Sequence, residues 1–400
     1  MKQSSSLVPK LRFPEFRNAP AWEMKALAPF LEEVSERVPS ETDLPIYSST
    51  RTGLKPQDDY YDGNILLNKN DYGVVPAGCF VYRHMSADGL FKFNFNDTGK
   101  SIAVSKEYPV FKSVNLESRF LLNKLNFGAD FRQFAMSQKA GGTRTRLYLS
   151  KLAEWNTPLP KLDEQQKIAE CLSTLDELIG AESQKLDTLK AHKKGLMQHL
   201  FPREGETIPR LRFPEFHSAP EWVEKKVGDI FKVTRGQVLA MGLVKDQKSS
   251  EAPYPVYSSQ TKNSGLCGFY TDYLYQDAIT WTTDGANAGG VNLRSGNFYC
   301  TNVCGVLSSA EGYANKCVAA LIGSVSRRYV SYVGNPKLMN GVMSEIVIAV
   351  PSVPEQHRIA TCLSSLEELI AAHSDRLFGL QTHKQGLLQQ LFLVPTEDAV

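Results

Sequence analysis

Three short stretches carry residue types that chemistry could use. Asn96 to Ser101 reads NDTGKS and ends in Gly-Lys-Ser, as a phosphate-binding loop does. Asn94 stands where that loop needs its first glycine, so a phosphate cradle is not expected. Asn335-Pro336 is the one Asn-Pro pair, yet Lys337 follows it where a methyltransferase motif such as Asn-Pro-Pro-Tyr continues with proline, and no glycine-rich cofactor loop follows a strand. Cys300 and Cys304 with Cys317 come nearest to a metal cluster, but no second CxxC or HxxxH completes a tetrahedral set. HExxH, GxSxG and a PD-(D/E)xK constellation are absent as well. The chain is therefore expected to be no enzyme, and to hold no metal and no cofactor.

Recognition remains. An arginine forks onto guanine, Asn or Gln pairs with adenine, and hydroxyls and lysines hold phosphate. Such residues cluster in loop-like stretches. In the first half they are Tyr47, Ser48, Ser49, Thr50, Arg51, Lys69, Asn70, Arg83, His84, Lys139, Arg144 and Arg146. In the second they are Tyr257, Ser258, Ser259, Gln260, Thr261, Lys262, Thr283 and Asn287 within the turn from Thr282 to Gly290, then Arg294, Arg327, Arg328 and Lys337. For each of them a solvated loop or a local cap is an equal reading. Gly285, Gly289 and Gly290 serve backbone turns in that alternative, and Asp284 caps one.

The elements behind these loops read as short strands: GNILLN, CFVYRHM, FKFNFN, AITWTT, NFYCTNVCGVL and SEIVIAV, separated by turn signals. A mixed α/β (α+β) domain with a mainly antiparallel sheet and few helices is expected in each half. A net charge of +2 makes no strong case for nucleic acid by itself. No apolar run is long enough for a membrane span, the N-terminus lacks a signal-peptide core, and seven cysteines, an odd number, suit free thiols in a reducing cytoplasm. Cys171 and Cys362 are expected as buried helix residues.

The halves repeat. From Val8 and from Ile208, ten of fifteen positions agree, through LRFPEF to Trp22 and Trp222. From Leu159 and from Val350, 23 of 43 positions agree at a constant offset of 191. The second stretch holds a heptad seam: Ile168, Leu172, Leu175, Ile179, Leu186, Leu189, Leu196 and Leu200, matched by Ile359, Leu363, Leu366, Ile370, Leu377, Leu380, Leu387 and Leu391. Polar residues interrupt both seams at Glu182 and His373, then at Lys193 and Lys384. Each helix runs about 38 residues, roughly 57 Å at 1.5 Å per residue. The first ends at Pro202 and the second starts after Pro354. An antiparallel pair is the economical arrangement, with two separate helices on their own domains as the alternative. The expected layout is a first domain over 1–158, a long helix over 159–202, a second domain over 203–350, and a long helix with a tail over 351–400. The anchors are expected to bury Phe13, Phe16 and Trp22, or Phe213, Phe216 and Trp222, where each domain joins its helix.

The stretches LPKLDEQQKIAECLSTLDELI and VPSVPEQHRIATCLSSLEELI, with the two anchors and the helix ends KAHKKGLMQHLF and QTHKQGLLQQLF, resemble the specificity subunits of type I restriction–modification enzymes. The resemblance spans nearly the whole chain. It implies two globular target recognition domains separated by two long helices in an antiparallel coiled coil, a pseudo-twofold repeat. Each domain would read half of a split site in double-stranded DNA, and the helices would set the gap. Two modification subunits, carrying S-adenosylmethionine, would dock on the helices, and motor-nuclease restriction subunits would add cleavage. A protein-binding coiled-coil scaffold without DNA readout, and a fused modification–specificity enzyme, are the competing readings.

Overall fold

The computed structural model describes residues 7–60, 71–139 and 144–393. The chain divides into two compact units, Met1–Ser183 with Arg376–Val400, and Gln184–Asp375. Both division points fall inside long helices, Leu162–Leu200 and Val353–Leu391, so each unit owns one reader domain and one half of each helix. The second helix starts just before the sequence expectation. Pro354 sits in its first turn, where a missing N–H costs nothing.

In the first unit the reader is clasped at its entry and exit. Glu23–Ala26 pairs antiparallel with Asn156–Leu159, Glu23 opposite Leu159. Between them lie a four-stranded sheet, in the order Leu31–Glu33, Val110–Ser113, Phe80–Tyr82, Phe93–Phe95, and a three-stranded one around Tyr72–Val75. Alternating aromatic residues on these strands meet across the pleat: Phe80 stacks on Phe111 at 4.7 Å, and Tyr82 on Phe93 at 4.4 Å. Helices Ser118–Phe127 and Ala129–Ser137 cover this face with Phe120, Leu121, Leu125 and Phe131. Ile168 and Leu172 of the first long helix join the same core as Leu388 and Leu391 of the second, so later residues of one helix meet earlier residues of the other, the mark of an antiparallel pair. The run GNILLN lies outside the described residues.

The second unit repeats the clasp, Val223–Lys226 against Val347–Val350 with Val223 opposite Val350. Its reader is one six-stranded sheet in the order Lys232–Arg235, Cys304–Ser308, Tyr275–Thr282, Val291–Cys300, Tyr254–Tyr257, Leu266–Tyr270. Only Tyr254–Tyr257 with Val291–Cys300 runs parallel. The run NFYCTNVCGVL becomes two strands joined by the turn at Thr301–Val303. Helix Lys316–Val325 packs on the sheet, with Val318 and Ile322 in the core and its N-terminus capped by the Asn315 side chain accepting from Val318 N–H at 3.1 Å. Here too the long helices are antiparallel: Leu200 and Leu196 pack with Ile359 and Leu363.

Two expectations need correction. Cys171 and Cys362 are half-buried rather than buried, because they flank the seam instead of lying in it. Phe13, Phe16, Phe213 and Phe216 are likewise only half-buried. The buried residues of the first anchor are Pro9, Trp22 and, at 9% exposure, Arg12. Among the described residues no group of three His, Cys, Asp or Glu could hold a metal, and no helix is long and apolar enough to cross a membrane.

Candidate nucleic-acid interface

The clamp that carries each reader comes first, because it fixes where the loops can be. Arg12 grips Glu164 in two parallel bonds, Nε to Oε1 at 2.7 Å and Nη2 to Oε2 at 2.6 Å. Its remaining donors meet the carbonyls of Ala19 at 2.8 Å and Pro20 at 2.9 Å. Arg212 does the same with Glu355, at 2.7 Å for both bonds, and with Ala219 and Pro220. The forked geometry suits a planar guanidinium and no lysine. The glutamine beside each glutamate ties the helix start to the reader. Gln165 donates to Pro160 O at 2.9 Å and accepts from Glu117 N–H at 3.0 Å; Gln356 donates to Pro351 O at 2.8 Å and accepts from the Asn315 amide at 2.8 Å. Glu117 and Asn315 are the caps of the reader helices. The Glu-Gln dipeptide is thus a joint between anchor, long helix and reader. Sequence reasoning missed it, although Arg12 and Glu164 each recur in the repeat.

The reader loops share a second frame. In the first unit, Tyr82 Oη donates to Leu147 O at 2.9 Å and Leu147 N–H donates to His84 O at 2.8 Å. In the second, Trp281 Nε1 donates to Leu338 O at 2.9 Å and Leu338 N–H donates to Thr283 O at 2.8 Å. Leu147 and Leu338 are fully buried and lie at the repeat offset of 191. The residue before each is basic and exposed: Arg146, paired with Met85, and Lys337, paired with Asp284. Two diverged sheets therefore present a cation at the same point of the same hydrogen-bonded frame.

Around that point in the first unit, Ser49, Thr50, Arg51, Arg83, His84 and Arg144 line one cavity of about 320 Å³. Tyr47, Ser48, Ser49 and Thr50 form a strand returning through Gly53–Pro56. Ser49 is buried, and its hydroxyl and the Thr50 carbonyl accept from Asn94 Nδ2 at 2.8 and 3.0 Å. Arg51 pairs with exposed Asp88 at 2.7 Å, while the His84 ring stacks on Tyr148 at 5.5 Å. Hydrogen bonds from Ser86 and then Arg51 hold the Asp88 carboxyl well below the usual carboxylate range. Arg83, Arg144 and Arg146 are exposed, and Lys139 is exposed at the end of the second reader helix. Lys92 also lines the cavity and was not foreseen; burial, then the neighbouring Lys384, lowers its pKa. Lys69 and Asn70 lie outside the described residues.

In the second unit the candidates part into two groups. Thr261, Asn287, Arg294 and Arg327 line a cleft of about 670 Å³ with Lys193, Lys316 and Glu367. Arg327 donates to Asn287 Oδ1 at 3.2 Å. Arg294 turns inward: its guanidinium lies 3.7 Å from the Tyr257 ring and donates to Thr280 Oγ1 at 3.0 Å and Ser264 O at 2.5 Å. Burial lowers its pKa, and its donors go to Thr280 and to Ser264, which follows the loop of Ser258, Ser259, Gln260, Thr261 and Lys262. Ser258 Oγ accepts from Thr301 at 3.0 Å and Gln260 donates to Leu266 O, which leaves Thr261 and Lys262 exposed. Thr283 is buried and donates to Asp284 at 2.6 Å, and Asp284 takes Arg235 at 3.0 Å. With Lys337 they form the second group. Arg328 points elsewhere, to Glu204 at 2.6 Å.

A family model described as type I restriction modification DNA specificity domain matches residues 47–191 and again 220–380. A type I specificity subunit N-terminus of Mycoplasma pneumoniae is 39% identical over 144 residues, 35% of this chain and 75% of that protein. Another type I specificity subunit of the same organism is 30% identical over 223 residues, 54% of this chain and 83% of the other. The crystal structure of a type I restriction–modification S subunit from M. genitalium shares the fold, with a TM-score of 0.67 at 16% identity over 97% of this chain and all (100%) of that one.

Proposed function

The chain belongs to the type I restriction–modification DNA specificity family, and on that ground we propose that each of its two readers recognises one half of a split duplex site. The single observation that carries this reading is the twice-built clamp. Arg12–Glu164 and Arg212–Glu355 hold different sheets in the same way, and each sheet sets a basic residue, Arg146 or Lys337, in the same frame. One scaffold with two unlike readers suits a target with two unlike halves. Arg83, Arg144 and Arg146 suit base edges or phosphates in the first half-site; Lys337, Asn287 and Arg327 suit the second. The paired helices set the gap. Each has 39 residues, roughly 58 Å of helix, against about 34–36 Å for one turn of B-DNA.

Chemistry belongs to partners in this reading. Two modification subunits, bringing S-adenosylmethionine, dock on the helices and flip the target adenine, and motor-nuclease subunits cleave. The chain itself catalyses nothing and works in the cytoplasm. Support for the first point is that its sequence lacks a methyltransferase motif. The test is co-expression with a modification subunit, followed by mapping of methylated bases. The expected result is a bipartite motif with a modified adenine in each half. Exchange of residues 23–158 for another reader then changes one half only, and about four residues inserted near Gly180, one helical turn, alter the gap alone. Methylation without a split motif sinks the two-reader assignment.

A further inference from the structure

In the second unit Ser331 and Lys337 exchange both backbone hydrogen bonds, at 2.8 and 2.9 Å, and close a five-residue loop over Tyr332–Pro336. The base of this loop is fixed. Leu338 is fully buried and held by Thr283 and Trp281, and Gly285 N–H donates to Pro336 O at 3.0 Å. Gly334, at φ +76°, makes the turn. The tip is bare: Tyr332 is 70% exposed and Val333 92%. A loop held this firmly gains nothing by presenting an aromatic and a β-branched side chain to water unless something covers them.

Charge names the occupant. From Ser326 to Ser344 the chain carries Arg327, Arg328 and Lys337 and no acid, and among the described residues only Arg328 of these forms an ion pair with an acid from outside the segment, Glu204. Asp284, the acid paired with Lys337 across the bridge, is neutralised by Arg235. A polyanion with flat apolar faces between its charges complements such a tip, and duplex DNA is that polymer. Resting on the DNA-reading assignment above, we propose that Tyr332 and Val333 form an apolar wedge that enters the duplex at a base step of the second half-site, with Lys337 on the adjacent phosphate. The wedge is one-sided. The offset of 191 sets Gly141 and Gly142, outside the described residues, opposite Tyr332 and Val333, and two glycines carry no side chain to insert.

The test uses the assembled complex with its modification subunits and duplexes that contain the mapped methylation site. 2-Aminopurine is placed in turn at each step of the half-site that reader exchange assigns to the second reader. Fluorescence rises at one step with the wild-type protein. Tyr332→Ala abolishes the rise and weakens binding about tenfold, the range of one lost base–aromatic stack, with an unchanged salt slope. Tyr332→Phe keeps both. Lys337→Ala keeps the rise and lowers the salt slope by about one. Specific binding by the wild-type complex without any rise, or a Tyr332→Ala protein that binds as the wild type does, overturns the wedge and leaves DNA reading intact. No specific binding by the wild-type complex overturns both.

Discussion

Arg12 and Arg212 make the same bonds to equivalent partners, while the readers they carry share almost no sheet topology. One is a set of small antiparallel sheets under two helices; the other is a single six-stranded sheet under one. The comparison separates two kinds of constraint. A buried guanidinium needs partners for its N–H donors, and here one carboxylate and two carbonyls take four of the five. A reader sheet needs an apolar face and a clasp, and many strand orders supply those. The clamps do differ at the tryptophan. Trp22 Nε1 donates to Glu164 at 3.3 Å, whereas buried Trp222 Nε1 has no hydrogen-bond partner among the described residues.

That difference ranks the largest expected effects. Glu164→Ala strips the partner from a buried arginine and from an indole at once, so it destabilises the first unit by about 3–5 kcal/mol. Glu355→Ala strips only Arg212 and costs less, at the lower end of that range. Hydrogen exchange followed separately in each unit measures this. Equal loosening by the two variants breaks the claim that the clamps are unequal. Loosening that appears first in the other unit removes the clamps from the joint altogether.

The next effect lies within one reader. Gly289 has φ +79°, and a Cβ there stands 2.9 Å from Val330 Cγ2 and 3.3 Å from the Arg327 backbone. Gly285, four residues earlier, has φ +96° with nothing within 4 Å of its Cβ position. Gly289→Ala is expected to cost about 2 kcal/mol or more and Gly285→Ala about 1, since only the first adds a clash to the left-handed strain. Chemical denaturation of the second unit compares them. Readout should sharpen the contrast between readers: Arg146→Ala and Lys337→Ala, at equivalent points of the shared frame, each weaken the assembled complex on DNA about tenfold and each through its own half-site. Arg146→Ala acting on the half-site of the second reader breaks the equivalence.

How much of this the sequence disclosed follows from the range of each interaction. The helices, their seams and their antiparallel pairing were legible because a heptad seam is a local pattern, marked by eight apolar residues in each copy. The clamp was not, because its partners lie far apart in sequence and the aromatic residues of LRFPEF drew attention from the arginine among them. Its signal was present nonetheless, since an arginine and a glutamate recur at both copies. Loop candidates came from residue type alone. Type cannot tell Arg144, which faces a cavity, from Arg294, which a strand position aims inward at Tyr257. Nor could it pair Arg146 with Lys337 until the constant offset was carried from the helices back into the readers.

The smallest effect compares the polar layers that interrupt the seams. In the second unit Glu367 holds both Lys193 and Lys316; in the first, Asp176 holds Lys384. Burial alone pushes the Glu367 carboxyl up, but the two lysines overturn that and hold it below the ordinary range. A depressed carboxylate contributes stability above its unfolded pKa and loses it as the pH falls through the folded one. Glu367→Gln is therefore expected to destabilise the second unit at pH 7 and to match the wild type only once the pH has fallen through the depressed folded pKa, where both side chains are neutral. The pairs are partly exposed, so the difference at neutral pH is below about 1 kcal/mol and shrinks with salt. Asp176→Asn, which removes one pairing rather than two, should do less. A Glu367→Gln deficit that persists at low pH assigns the loss to packing, and the two layers then differ by shape and not by charge.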